Sequence, residues 1–136
     1  MEYKTNVDFE WAENETRKRL NKAGHQYVQG PDWIAKNPQG EWEAHEVKYK
    51  EFFEPGDNFP HWGAGLSVRQ AMAREQMRQD LGIRTKLWVY GKGVNVGEVL
   101  VGYIDELQKQ GGYHDTRNDI RIYPTTSYSR EEDYKK

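Results

Sequence analysis

The sequence contains no cysteine. Disulfide staples, thiolate zinc sites and a thiol nucleophile are therefore excluded. It also lacks any apolar run near the roughly 20 residues needed to cross a membrane. Its first residues, MEYKTNVDFE, lack the basic and apolar regions of a signal peptide, so a soluble, cytoplasmic chain with no membrane partner is expected. Hydrophobic residues are scarce at 35%, and the formal net charge of −2 gives no overall attraction to nucleic acid. What is abundant is aromatic weight. Five Trp and nine Tyr in 136 residues are more than a disordered chain carries, so one globular domain with a thin core is expected.

Charge is unevenly placed. Residues 66–86 hold Arg69, Arg74, Arg78, Arg84 and Lys86 against Glu75 and Asp80, a net of +3. Residues 41–57 hold Glu41, Glu43, Glu46, Glu51, Glu54 and Asp57 against Lys48 and Lys50, a net of −4. A basic helix beside an acidic cluster suits a protein that holds a polyanion next to a metal ion; ordinary solvated surface charge is the alternative reading.

Along the chain, residues 6–23 read as a helix capped by Asn6 or Asp8 and stopped at Gly24, with an inner stripe of Phe9, Ala12, Thr16, Leu20 and Ala23. Glu13 lies on the edge of that stripe. Short strands are expected at 25–28 and 32–36. Asn37-Pro38-Gln39-Gly40 is a turn signal that should join the second of these to a strand at about 41–50. Strands alternate with period two, so Trp42, Ala44, Glu46 and Lys48 share one face. Asp32 joins them only if residue 36 pairs with residue 42 across a five-residue loop, and that register is expected. Residues 51–65 read as an aromatic loop. A helix follows at 66–81 with Leu66, Ala73, Met77 and Leu81 inward and its arginines outward, then a strand at 85–90 and a third helix at 97–110. A single domain over 1–127 and a charged, frayed tail over 128–136 complete the layout.

A convergence of Asp32, Glu46 and Glu13 would give hard carboxylate ligands suited to Mg²⁺ or Mn²⁺. Such a metal stabilises charge on a phosphoryl transition state, and Lys48, two residues from Glu46, could hold or deprotonate a water or neutralise the phosphate. The pattern points to metal-assisted phosphodiester hydrolysis. The glycines of GKGVNVGEV, Gly91, Gly93 and Gly97, miss the dinucleotide-binding spacing, so no nucleotide cofactor is expected. His45 should face away from Glu46 as a structural histidine.

With "AENETRKRLNKAGHQYV", "PDWIA" and "HEVK" in this order over about residues 10–50, the chain resembles the PD-(D/E)XK nuclease superfamily, and within it the archaeal-type Holliday junction resolvases. The resemblance implies a restriction-endonuclease-like α/β fold with an αβββαβ core, a small mixed central sheet flanked by helices. It further implies a homodimeric, Mg²⁺-dependent endonuclease, with Mn²⁺ substituting, acting on branched double-stranded DNA. Glu13, Asp32, Glu46 and Lys48 are the implied catalytic residues, with Glu10 the rival to Glu13. Glu13, Asp32, Glu46 and Val47 are the implied metal ligands, and Arg17, Lys50, Arg69, Arg74 and Arg78 the DNA-binding candidates. In place of the Gln-x-x-x-Tyr of the exonuclease-type branch the chain has Gln70 followed by Arg74. A restriction or homing-type nuclease and an inactive nucleic-acid-binding module remain alternatives.

Overall fold

The computed structural model describes residues 11, 12, 14–16, 18, 19, 22, 23 and 30–131. The first helical residues fall between 11 and 22. Of the stripe expected to face inward there, the described members Ala12, Thr16 and Ala23 are all exposed, and the Thr16 hydroxyl bonds back to the Ala12 carbonyl. Two alanines and a threonine offer little apolar area to bury. The strand expected at 25–28 lies outside the described residues.

Strands β1 (Trp33–Lys36) and β2 (Trp42–Lys50) form an antiparallel hairpin. Lys36 pairs with Trp42 and Trp33 with His45, which is the register of the five-residue loop. The turn chemistry explains it. The Asn37 side chain accepts from the Glu41 N–H at 2.9 Å, its N–H donates to the Glu41 carbonyl at 2.8 Å, and Gly40 takes φ +87, which L side chains avoid.

The next elements are β3 (Gly63–Ser67) and helix α1 (Val68–Leu81), followed by β4 (Arg84–Gly91). The helix starts at Val68 because the Ser67 hydroxyl accepts from the Gln70 N–H, and it ends where the Gly82 N–H bonds to the Arg78 carbonyl. β4 lies parallel to β2, so α1 crosses over the sheet between them. Of the expected order, helix, three strands, helix, strand, the described residues contain the two hairpin strands, the second helix and the strand after it, while β3 is an unexpected strand between the hairpin and α1. Two boundaries differ from expectation. Residues 63–67, assigned partly to a loop and partly to the helix, form a strand. Residues 97–110, read as one helix, divide into β5 (Val99–Tyr103) and α2 (Ile104–Gln110). The strand VLVGY passes directly into the helix at Ile104, with no intervening turn residues to mark the change.

Beyond α2 come β6 (Tyr113–Asp115), β7 (Ile120–Pro124) and β8 (Ser129–Arg130). The mixed main sheet has the order β1-β2-β4-β5-β8, and a second antiparallel sheet has the order β3-β7-β6. That second sheet was not foreseen. Its closest approach is at Gly65, where a Cβ would stand 1.7 Å from the Arg121 carbonyl oxygen. β8 pairs with β5, and Tyr128 is buried with its hydroxyl donating to the Ala64 carbonyl at 2.6 Å, so the packed chain continues past residue 127.

The core gathers Phe52, Ala64, Leu66, Leu87, Val89, Leu100, Ile104, Leu107, Tyr123 and Tyr128. β4 shows why the sheet has two unlike faces. Thr85, Leu87, Val89 and Gly91 are buried, while Arg84, Lys86, Trp88 and Tyr90 alternate with them and stay half-exposed. Helix α1 departs from the expected stripe. Met77 is buried, but Leu81 is 62% exposed and the arginine expected at the surface, Arg74, is 2% exposed. Among the described residues no helix is long and apolar enough to cross a membrane.

Candidate active site

The buried face of the main sheet carries the site. Pairing of Glu46 with Leu87 and of Lys48 with Val89 puts both polar side chains in line with core residues of β4. Asp32 stands one residue before β1, and continuing the hairpin register sets it opposite Glu46. Its Oδ2 accepts from the Val47 N–H at 2.8 Å, so a side chain carries the hairpin's bonding past the end of the strand. Val47, expected among the metal ligands, therefore enters the site through its backbone. Asp32 is exposed, Lys48 half-buried, and Glu46 only 3% exposed.

Helix α1 meets these residues with a matching pair. Gln70 Oε1 accepts from Lys48 Nζ at 2.8 Å, and the Arg74 guanidinium lies 3.5 Å from Glu46 Oε1. Two residues along a strand span about 6.6 Å, and four residues along a helix about 6 Å. The spacing Glu46-x-Lys48 on the strand is therefore answered by Gln70-x-x-x-Arg74 on the helix, running in the opposite direction. Gln70 was not among the sequence candidates. The i,i+4 spacing with Arg74 is the signal in the sequence that points to it.

Burial holds the Glu46 carboxyl above the usual carboxylate range, and the neighbouring Asp32, by its charge and by direct hydrogen-bond contact, pushes the same way. Arg74 and Lys48 pull it back. Burial also lowers Arg74 below the ordinary guanidinium value, against the charges of Glu46 and Asp32. The site is thus a compact set of two acids and two bases whose formal charges cancel.

The other expected positions divide. Glu13, its rival Glu10 and Arg17 lie outside the described residues. Lys50 is half-buried, its ammonium 4.7 Å from the Phe53 ring centroid, and burial, then the charge of Lys48, lowers its pKa. Arg69 and Arg78 are exposed on α1, and Arg78 is held by Glu75. Arg74 requires correction as a surface DNA contact, because it faces the sheet and touches Glu46. His45 does face away from Glu46, on the opposite side of β2, where its Nδ1 accepts from the Trp88 indole N–H at 3.0 Å. On that side of the sheet Glu43 is buried and accepts a short hydrogen bond from the Tyr103 hydroxyl.

Asp32 and Glu46 are hard oxygen donors, and Mg²⁺ is commonly held by one or two carboxylates with water and substrate phosphate filling its shell. Their contact and chemistry fit such an ion. Among the described residues there is no group of three His, Cys, Asp or Glu side chains placed to hold a metal.

No protein-family model matches the chain, and comparison with curated proteins finds no match. Among solved structures, the chain is similar to Hjc of Archaeoglobus fulgidus, a Holliday junction resolvase from an archaeal hyperthermophile. The identity is 15%, the TM-score 0.45, and the match covers 88% of this chain and 92% of that one.

Proposed function

We propose that the chain is a metal-dependent DNA endonuclease that hydrolyses phosphodiester bonds, and that it acts as a homodimer on four-way junctions. The observation that carries the reading is the meeting of Asp32, Glu46 and Lys48 on one side of the hairpin, with Lys48 anchored by Gln70. The junction and the dimer rest on the sequence resemblance.

Asp32 and Glu46 would hold Mg²⁺ or Mn²⁺. Such an ion, when bound, lowers the pKa of a coordinated water and stabilises negative charge on the phosphoryl oxygens. Asp32, fixed by the Val47 N–H, presents its charge in one place, which spares reorganisation during the reaction. Lys48 donates to a phosphate oxygen, and its ammonium is already oriented by Gln70. Arg69, exposed on the first turn of α1, binds the flanking backbone, where phosphate contacts set position and not sequence.

The test uses Mg²⁺ with equimolar labelled four-way junction, duplex and single strand. Paired symmetric nicks near the crossover are expected. Preferential cutting of plain duplex at one sequence would point to a restriction-type enzyme, and tight binding without cleavage to an inactive module. Glu46→Ala and Lys48→Ala should each abolish cutting while junction binding persists; cleavage surviving in Glu46→Ala would refute the site.

A further inference from the structure

Arg74 is the feature that the reaction as described does not use. Its side chain is 2% exposed, and among the described residues neither Nε nor Nη1 has a hydrogen-bond partner. A guanidinium removed from water with donors unmade is costly, and a Leu or Met on this face of α1 would pack without that cost. The geometry also separates this pair from an ordinary structural ion pair. At 3.5 Å from Glu46 Oε1, Nε lies near enough for strong attraction but forms no hydrogen bond, so Arg74 acts on Glu46 by its charge while the carboxylate still contacts Asp32.

We propose that Arg74 takes the place on Glu46 that a second divalent cation would otherwise fill, so that each site holds a single Mg²⁺ or Mn²⁺ ion. The inference rests on the nuclease reading. In two-ion sites a carboxylate shared between the metals is what keeps two dications close together. Here one flank of Glu46 is occupied by a fixed positive charge. Asp32 and Glu46 are balanced by Lys48 and Arg74, so one divalent ion already leaves a positive excess that the single negative charge of a phosphodiester only partly offsets, and a second would add charge with no described partner. Repulsion of this kind is strong because the guanidinium is out of solvent and weakly screened. Arg74 is thus a positioning residue: it touches Glu46 and not the substrate.

The experiment counts Mn²⁺ bound to the intact chain, without DNA, by electron paramagnetic resonance of the free ion and by calorimetry. One ion per chain is expected for the wild type and for Arg74→Lys, which keeps the charge. Two, the second weaker, are expected for Arg74→Met and Arg74→Gln. Two ions on the wild type overturn the proposal even if the charge-removing variants fail to fold, and so does a single ion of unchanged affinity on a folded Arg74→Met. If the wild type takes up no Mn²⁺ and cuts no DNA, the nuclease reading falls as well. If it binds Mn²⁺ and cuts, and the stoichiometry is indifferent to residue 74, only the assignment to Arg74 falls.

Discussion

Replacing Gln70 with Met removes the acceptor that holds Lys48 and leaves a side chain of similar length. The bond is 2.8 Å from Nζ to Oε1, and its donor is a charged ammonium in a half-buried setting. A hydrogen bond to a charged group contributes about 1.5–3 kcal/mol. If the whole of that serves to keep Lys48 aimed at the reacting phosphate, the rate falls by about 10- to 150-fold, since each 1.36 kcal/mol is a factor of ten. Single-turnover cleavage of a labelled junction at saturating Mg²⁺ reads that rate directly. The dissociation constant for the junction should stay near its wild-type value, because the half-buried Gln70 amide is engaged with Lys48. A melting transition within about 0.5 kcal/mol of the wild type would exclude a folding defect. A cleavage rate within twofold of the wild type, or a loss seen only in binding, would refute the idea that α1 positions the lysine.

Three further outcomes follow from the packing. Tyr103→Phe deletes the hydroxyl that donates to buried Glu43, and should cost about 1.5–3 kcal/mol near neutral pH in a denaturant titration. The same bond raises the Tyr103 pKa from 10.0 to about 12. A raised folded value means that the stabilisation is full below pH 10 and is lost as pH climbs toward 12, so the difference between variant and wild type should shrink over that window; a constant difference would count against it. Gly65→Ala drives a Cβ to 1.7 Å from the Arg121 carbonyl oxygen and should destabilise by about 3 kcal/mol or more in thermal unfolding, whereas a neutral result would mean that β3 and β7 separate freely. Gly40→Ala meets open space, but φ +87 is unfavourable to it, so a loss of about 1–2 kcal/mol is expected, and no loss would deny the turn its part in setting the register.

The hairpin was legible because its turn chemistry and loop length are local. Asn37 and Gly40 fix where the strands begin to pair, and a period of two then places Asp32 opposite Glu46 and Lys48 beside it. β3 was not legible for the opposite reason. GAGLS has little strand propensity of its own, and its conformation is decided by β7, more than fifty residues later in the chain. Arg74 and Gln70 escaped because apolar periodicity cannot see a helix face that is partly polar. An apolar stripe through Leu66 has the wrong phase for this helix. With the helix starting at Val68, Leu66 belongs to a strand, Leu81 turns outward, and the sheet-facing line runs through Gln70, Arg74 and Met77. The tail was misjudged at its start, since the Ser129–Arg130 pairing and the buried ring of Tyr128 are tertiary facts that a charged composition conceals.

The match between two residues of strand and four of helix binds the history of these two segments together. An insertion or deletion of one residue between Gln70 and Arg74 would rotate one of them about 100° away from the sheet, and none in the strand could follow without sending Lys48 to the opposite face. Loops before Gly63 and after Leu81 can lengthen without disturbing this pairing. Among descendants of a common ancestor, then, length variation should collect in those loops, while positions 46, 48, 70 and 74 drift, if at all, as couples: a change at 74 accompanied by a change in what neutralises Glu46, and a change at 70 by one in how Lys48 is held.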